Sequence, residues 1–283
     1  MANNNLCRLF RVKGDLAGVS ASVTTNDDAY LRQIAEASAE FSRQCGRNFF
    51  SWEGVRYFPS EDGTVGRDLF LGDFTSVSEV LVDEDGDGTF EKTVTIGTDA
   101  TRWPLSAASA LKPYRALSIP VAGSTLGLWP AFANRVKVTG VFGYYAEWEL
   151  TSVTVNEGAG DGSALDTSET GITVSADAST VLCAGDVIRI DSEQIEISAV
   201  STVTLTVVRG LNGSTAATHA NGTAIYIRRY PRDVERVVAE RVISGRWDNQ
   251  VGYQGADGGN MNRAVYARWQ QAVRDYTNPA GLF

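Results

Sequence analysis

Between Leu31 and Cys45 the small or apolar residues Leu31, Ile34, Ala35, Ser38, Phe41 and Cys45 recur every three or four positions, with Arg32, Gln33, Glu36, Glu40 and Arg43 between them. That period places one stripe against a core and the charges in water, which predicts an amphipathic helix over about 27–46. Asn26 or Asp27 suits the N-cap, Asp27 and Asp28 suit the positive end of the dipole, and Gly46 suits the left-handed C-terminal position. The pattern then changes. Phe49, Phe50, Trp52, Val55, Tyr57 and Phe58 form an aromatic-rich run that reads as a strand pair packed on the helix. Leu69, Phe70 and Leu71 follow as a buried strand. Val77, Val80 and Val82 lead into an acidic, glycine-rich turn, and Phe90, Val94 and Ile96 lead out of it. The prolines at 104, 113, 120 and 130 hold the residues before them extended, and Val136, Val138 and Val141 close a first β layer.

Residues 156–170 contain one large apolar residue, Leu165, and mark a boundary or a long surface loop. From Ile172 to Ile227 short strands alternate with polar turns and no helical period appears, which predicts an all-β module over 151–228. The helical period returns at 231–244, with Pro231 in the first turn and Gly245 as a stop. It returns again at 261–276, where Val265, Trp269, Ala272, Val273 and Tyr276 share a side. A polar leader and a short apolar piece open the chain, and AGVSASVTTNDD reads as an extended lead-in. The expected fold class is therefore α+β: a small helical bundle packed with β-hairpins, made from 1–150 with 229–283, and an all-β module inserted at 151–228.

Charge narrows the functional classes. The chain of 283 residues has 34 acidic and 25 basic residues, a formal charge of −9, so no general attraction to nucleic acid or to an anionic membrane is expected. No apolar run approaches the ~18 residues of a membrane span, and LCRLFRV is too short and too charged for a secretion leader. Cys7, Cys45 and Cys183 are far apart and lack CxxC spacing, which predicts buried, reduced thiols and no structural zinc. The 151–228 segment holds 9 acidic and 3 basic residues and so carries most of the negative charge.

Candidate chemistry is sparse. His219 is the one histidine and lies in a threonine- and alanine-rich turn with no carboxylate close by in sequence, so a turn-bonding role is expected of it. Glu147 and Glu149 share a strand face, while Glu193 and Glu196 fall on opposite faces; both pairs read as solvated. Asp83, Asp85 and Asp87 have the alternate spacing that opens a calcium loop, but the twelfth position is Val94 where a bidentate carboxylate is required, so a hairpin tip is the simpler reading. No phosphate-binding glycine loop occurs. No enzymatic activity and no cofactor are expected. Arginines outnumber lysines 21 to 4, a bias that suits protein–protein contacts and that GC-rich coding would also produce. Arg32, Glu36, Glu40, Arg43 and Arg47 are the candidate subunit interface.

The order of these segments resembles a known family. DDAYLRQIAEASAEFSRQCGRNF, then VRYF, then DLFLGDFTSVSEVLVDEDGDG, WPAFANRVKVTGVFGY and YPRDVERVVAERV together resemble the head-to-tail connector (adaptor, or head-completion) proteins of tailed bacteriophages. The match covers most of 28–145 and 229–243. The segments GDVIRIDSEQIEI and LTVVRGLNGSTAATHANGTAI resemble a β module found in phage tail proteins, in which Arg209, Gly210, Gly213 and His219 are turn and corner residues. The insertion is a departure from the plain adaptor. The resemblance implies a virion protein of the head–tail neck, assembled in the bacterial cytoplasm as a homo-oligomeric ring, expected to be a dodecamer. The ring would dock under the portal protein, meet a downstream stopper or tail protein, and pass DNA without sequence-specific binding. Arg268, Trp269, Arg274, Tyr276, Leu282 and Phe283 are the implied portal-docking candidates. A phage tail or receptor component binding glycan through the inserted module is the competing expectation.

Overall fold

The computed structural model describes residues 4–15, 24–58, 66–107, 112–130, 134–144, 147–158, 164–250 and 256–277, with the side chains of 15, 245–250 and 256–262 left aside. Among the described residues there are four helices, α1 (Leu9–Asp15), α2 (Asp27–Cys45), α3 (Arg232–Gln250) and α4 (Ala256–Tyr276), and twelve strands. The first six are β1 (Trp52–Phe58), β2 (Asp68–Val82), β3 (Lys92–Thr93), β4 (Thr101–Trp103), β5 (Tyr114–Ser118) and β6 (Val136–Phe142). The second six are β7 (Glu147–Thr154), β8 (Gly171–Thr173), β9 (Val187–Ile190), β10 (Glu193–Ser201), β11 (Thr204–Val208) and β12 (Ala224–Arg229).

The chain forms two compact units. One runs from Asn48 to Tyr144; the other joins the described residues up to Arg47 to those from Glu147 onward. In the Asn48–Tyr144 unit the antiparallel order is β1-β6-β2-β5-β4, with β3 paired to β2. The 15-residue β2 organises it: its first half pairs with β5 and its second half with β6. Gly72 lies within the register shift between Phe70 and Phe74 at φ 74°, a left-handed conformation that glycine adopts without a Cβ penalty. Phe74, Val80, Val82, Val136, Val138 and Phe142 alternate onto one face and are buried with Leu117 and Trp129. The ends of this unit meet: the Tyr144 amide donates to the Asn48 carbonyl at 2.7 Å, and the Phe49 and Tyr144 rings lie 5.2 Å apart.

In the other unit the strand order is β7-β12-β9-β10-β11-β8, all antiparallel. The Asn156 amide donates to Thr173 O at 2.9 Å and the Ser175 amide to Thr154 O at 3.0 Å, so the first and last strands join and the sheet closes into a small barrel. Its interior is aliphatic and follows the two-residue period: Ile188 with Ile190, Ile195 with Ile197, Leu205 with Val207, and Ile225 with Ile227. The four helices pack on one another. The segment before and within α1 ties them to the barrel. Arg8 forms a two-pronged ion pair with Asp186, Nε to Oδ1 at 2.9 Å and Nη2 to Oδ2 at 2.7 Å, and also donates to Val181 O at 2.7 Å. Leu6 donates its amide to Ser38 Oγ of α2 at 3.0 Å, and Arg228 Nη1 donates to Asn4 Oδ1 at 2.9 Å.

The expected α+β helical bundle with packed hairpins is corrected by this architecture: two six-stranded antiparallel sheets dominate and the helices are the smaller part. The physical reason is that each sheet buries its own apolar face in its own cluster, so neither needs a helix to cover it. The helices also belong to the unit that holds the barrel, whereas the sequence pattern groups them with the first sheet. Residues 9–15, for which no helix is expected, form α1. Gly245, expected as a stop, lies inside α3.

The helix expected at 27–46 is α2, closed by Gly46 at φ 59° and ψ 37°, where the Gly46 amide donates to Arg43 O and the Arg47 amide to Ser42 O. Asn26 makes no side-chain cap. Because an L-residue in that left-handed conformation costs about 1–2 kcal/mol, Gly46→Ala is expected to lower unfolding stability by that amount in urea titration, with unchanged secondary structure by circular dichroism.

Candidate functional site

Two groups of side chains collect the residues that the sequence points to. The first is the packing of α2, α3 and α4. The buried stripe of α2 brings Phe41 against Trp269 of α4, edge to face at 5.1 Å and 81°, and against Tyr276 at 6.4 Å. Trp269 is 3% exposed and its Nε1 donates to Gln44 Oε1 at 2.9 Å. The Tyr276 hydroxyl donates to Asp233 Oδ1 of α3 at 3.0 Å, and Arg47 Nε donates to the Tyr276 carbonyl at 2.5 Å. Arg268 pairs with Glu240 at 2.8 Å and Arg241 with Glu40 at 3.7 Å, while Arg274 donates to Gln271 at 2.8 Å. Between the three helices lies a groove of about 450 Å³ lined by Glu40, Gln44, Arg241, Val265, Tyr266 and Trp269.

The portal-docking set is thus divided. Trp269 is core, the hydroxyl and carbonyl of Tyr276 are used inside the helical layer, Arg268 and Arg274 remain exposed, and Leu282 and Phe283 lie outside the described residues. The subunit set divides in the same way. Glu40 and Arg47 hold the helices together, whereas Arg32, Glu36 and Arg43 are exposed on α2 with no ion-pair partner within 4 Å among the described residues.

The second group is a clamp at one end of the barrel. Glu193, whose side chain is fully buried, accepts from Arg209 Nε and Nη2 at 2.7 Å each, from the Gly210 amide at 3.1 Å and from the Ala217 amide at 3.0 Å. His219, 1% exposed, places Nε2 2.9 Å from Glu193 Oε2 and Nδ1 2.8 Å from Asp191 Oδ2. Both ring nitrogens face carboxylate oxygens, so both bonds form together only for the imidazolium. Burial of Glu193 acts to raise its pKa, but the bonds from Arg209, His219, Ala217 and Gly210 outweigh it and bring the carboxyl down to about 2. The clamp pins the 209–219 segment to the β9–β10 hairpin. With five donors on one carboxylate, little acceptor capacity is left for a reacting proton, and the arrangement is structural.

The expectation that Glu193 and Glu196 are solvated is therefore wrong: both are buried, as is the whole first part of β10. Two-residue alternation separates their faces correctly, yet both faces are covered, for Gln194 on the outer side bonds Arg228 and Asn212. Glu147 and Glu149 are exposed as expected, Glu149 with Arg229 at 2.7 Å.

At the β2–β3 turn, Asp83, Asp85 and Asp87 converge, and Glu91 joins them, with ligand atoms all within 4.8 Å. The EF-hand count to Val94 hides Glu91, because the residue that completes the group comes from the returning strand side. These oxygens could hold a divalent cation, and they already serve the turn. Asp83 accepts from the Gly86 and Gly88 amides, Asp87 from Thr89 at 2.7 Å, and Glu91 from Glu84 at 2.8 Å. The bonds from Thr89 hold the Asp87 pKa below the ordinary range. Cys7, Cys45 and Cys183 are buried and form no disulfide among the described residues, and burial pushes the Cys45 thiol up to about 12, which makes it unreactive.

Compared with known proteins, the chain matches no family model and no curated protein sequence.

Removing Glu193 strands a buried guanidinium, so Glu193→Ala is expected to cost about 3–5 kcal/mol by denaturant unfolding. The acid dependence has a fixed sign: the Glu193 pKa is depressed on folding, so its contribution is complete above the ordinary carboxylate range and is lost as pH falls through about 2. The stability gap between wild type and Glu193→Gln should be flat above about pH 5 and shrink below about pH 4. In the helical layer, Trp269→Ala should cost about 3–5 kcal/mol and lower thermal stability, the effect of an emptied core site and not of a surface contact.

Proposed function

We propose that this chain is a structural assembly protein of a bacteriophage virion, a head-to-tail adaptor that forms a ring under the portal and lets DNA pass. The observation that carries the reading is the division of charge on the helices. Side chains facing inward are matched to partners, while Arg32, Glu36 and Arg43 stand unmatched on the outer face of α2, as a surface kept for another protein chain would. The ordered resemblance over 28–145 and 229–243 supports it independently. Exposed Phe70 and Trp103, each paired in register with Ala116, add an apolar strip on the sheet of the other unit, the kind of surface that protein contacts cover. With Trp269 in the core, portal contact on α4 falls to Tyr266, Arg268 and Arg274, all exposed. The acidic balance suits a conduit that releases DNA.

Negative-stain imaging of the purified chain, alone and mixed with the portal oligomer of the phage that encodes it, tests the reading. Rings, or density capping the portal, are expected. A chain that neither forms rings nor binds portal, and that instead binds host surface polysaccharide, would sink it.

A further inference from the structure

The outward face of α2 has a definite order of charge. Opposite the buried stripe of Tyr30, Ile34, Ala37, Ser38, Phe41 and Cys45 lie Asp28, Arg32, Ala35, Glu36, Ala39 and Arg43. At 100° per residue these six fall within one arc of the helix. Along the axis the charges alternate negative, positive, negative, positive. Asp28 and Arg32, and Arg32 and Glu36, have the spacing at which a helix pairs its own side chains. Neither pair closes within 4 Å among the described residues, and all four charged side chains are exposed.

We propose that this face binds a second copy of itself, with the two α2 helices antiparallel about a two-fold axis near Ala35. Antiparallel alignment brings Arg32 opposite Glu36 of the second copy and Asp28 opposite Arg43 of the second copy, and the symmetry repeats each pair. Parallel alignment in register would set Asp28 on Asp28 and Arg32 on Arg32, which repels. Ala35 at the axis and Ala39 one turn further on are small enough for close approach of the helix backbones. A 19-residue helix is about 28 Å long, so the buried area falls at or below the ~1,200 Å² of stable complexes. The pairing is accordingly weak, dependent on concentration and sensitive to salt. It goes beyond the adaptor reading: an isologous contact closes on two copies, so this face pairs copies, and neighbouring pairs of a ring would meet through other surfaces, such as the exposed strip of Phe70 and Trp103.

Sedimentation equilibrium of the full chain decides it, with Arg32→Glu, Glu36→Arg and the double exchange R32E/E36R compared at low and high salt and melting curves confirming that each variant is folded. Wild type should dimerise at low salt and dissociate as salt rises. Each single reversal, acting at two symmetric contacts, should raise the dissociation constant about tenfold or more. The double exchange should return it to within about threefold of wild type, because it restores opposite charges across the axis. A monomeric wild type at low salt and high concentration overturns the proposal. So does a dimer that the single reversals leave unchanged, or a double exchange that stays as weak as the singles.

Discussion

The ion pair between Arg8 and Asp186 is the contact on which the helix-and-barrel unit depends. A guanidinium and a carboxylate that are both largely removed from water repay their desolvation only if every donor and lone pair finds a partner. Here Nε and Nη2 of Arg8 reach both Asp186 oxygens and the Val181 carbonyl, and Asp186 also accepts the Cys183 amide. Burial acts to lower the Arg8 pKa, and Asp186 more than offsets it, leaving the guanidinium above its ordinary value. Because Arg8 stands at the start of α1 and Asp186 at the edge of β9, this pair fixes the chain's first segment between the helical layer and the barrel. Leu6 on Ser38, Asn4 on Arg228 and Lys13 on Asp27 extend the same seam in both directions.

Much of the local structure can be read from the chain, and the reasons for success and failure are physical. α2 is legible because Ile34, Ser38, Phe41 and Cys45 of its stripe, its acidic first turn and Gly46 agree, although Ala35, expected in the stripe, lies on the opposite face. The barrel strands are legible because alternation of isoleucine and valine leaves no other period. α1 is not, since seven residues cannot form a stable helix alone; Leu9, Val12 and Lys13 become buried only through partners far along the chain. Gly245 fails to stop α3 because a glycine in a helix costs only about 1 kcal/mol, which neighbouring residues can outweigh.

The candidate sites show the same limit more sharply. Alternation tells which face a side chain takes but not whether that face is covered, and so Glu193 and Glu196 look solvated. His219 looks isolated because its carboxylates lie 26 and 28 positions away, brought to it by the barrel register. Trp269 and Tyr276 sit on the apolar side of a helix, a pattern that fits a docking surface and an internal helix contact equally well. Only the location of α2 and α3 decides between them.

The clasp at Asn48 and Tyr144 has a mechanical consequence. The entry and exit of the intervening sheet are joined by a backbone hydrogen bond and a ring contact, so tension applied along the chain through Arg47 and Glu147 meets the clasp before it reaches any strand. The six strands between are shielded from that load as long as the clasp holds. Such a shunt lets one unit bear force while the other keeps its register.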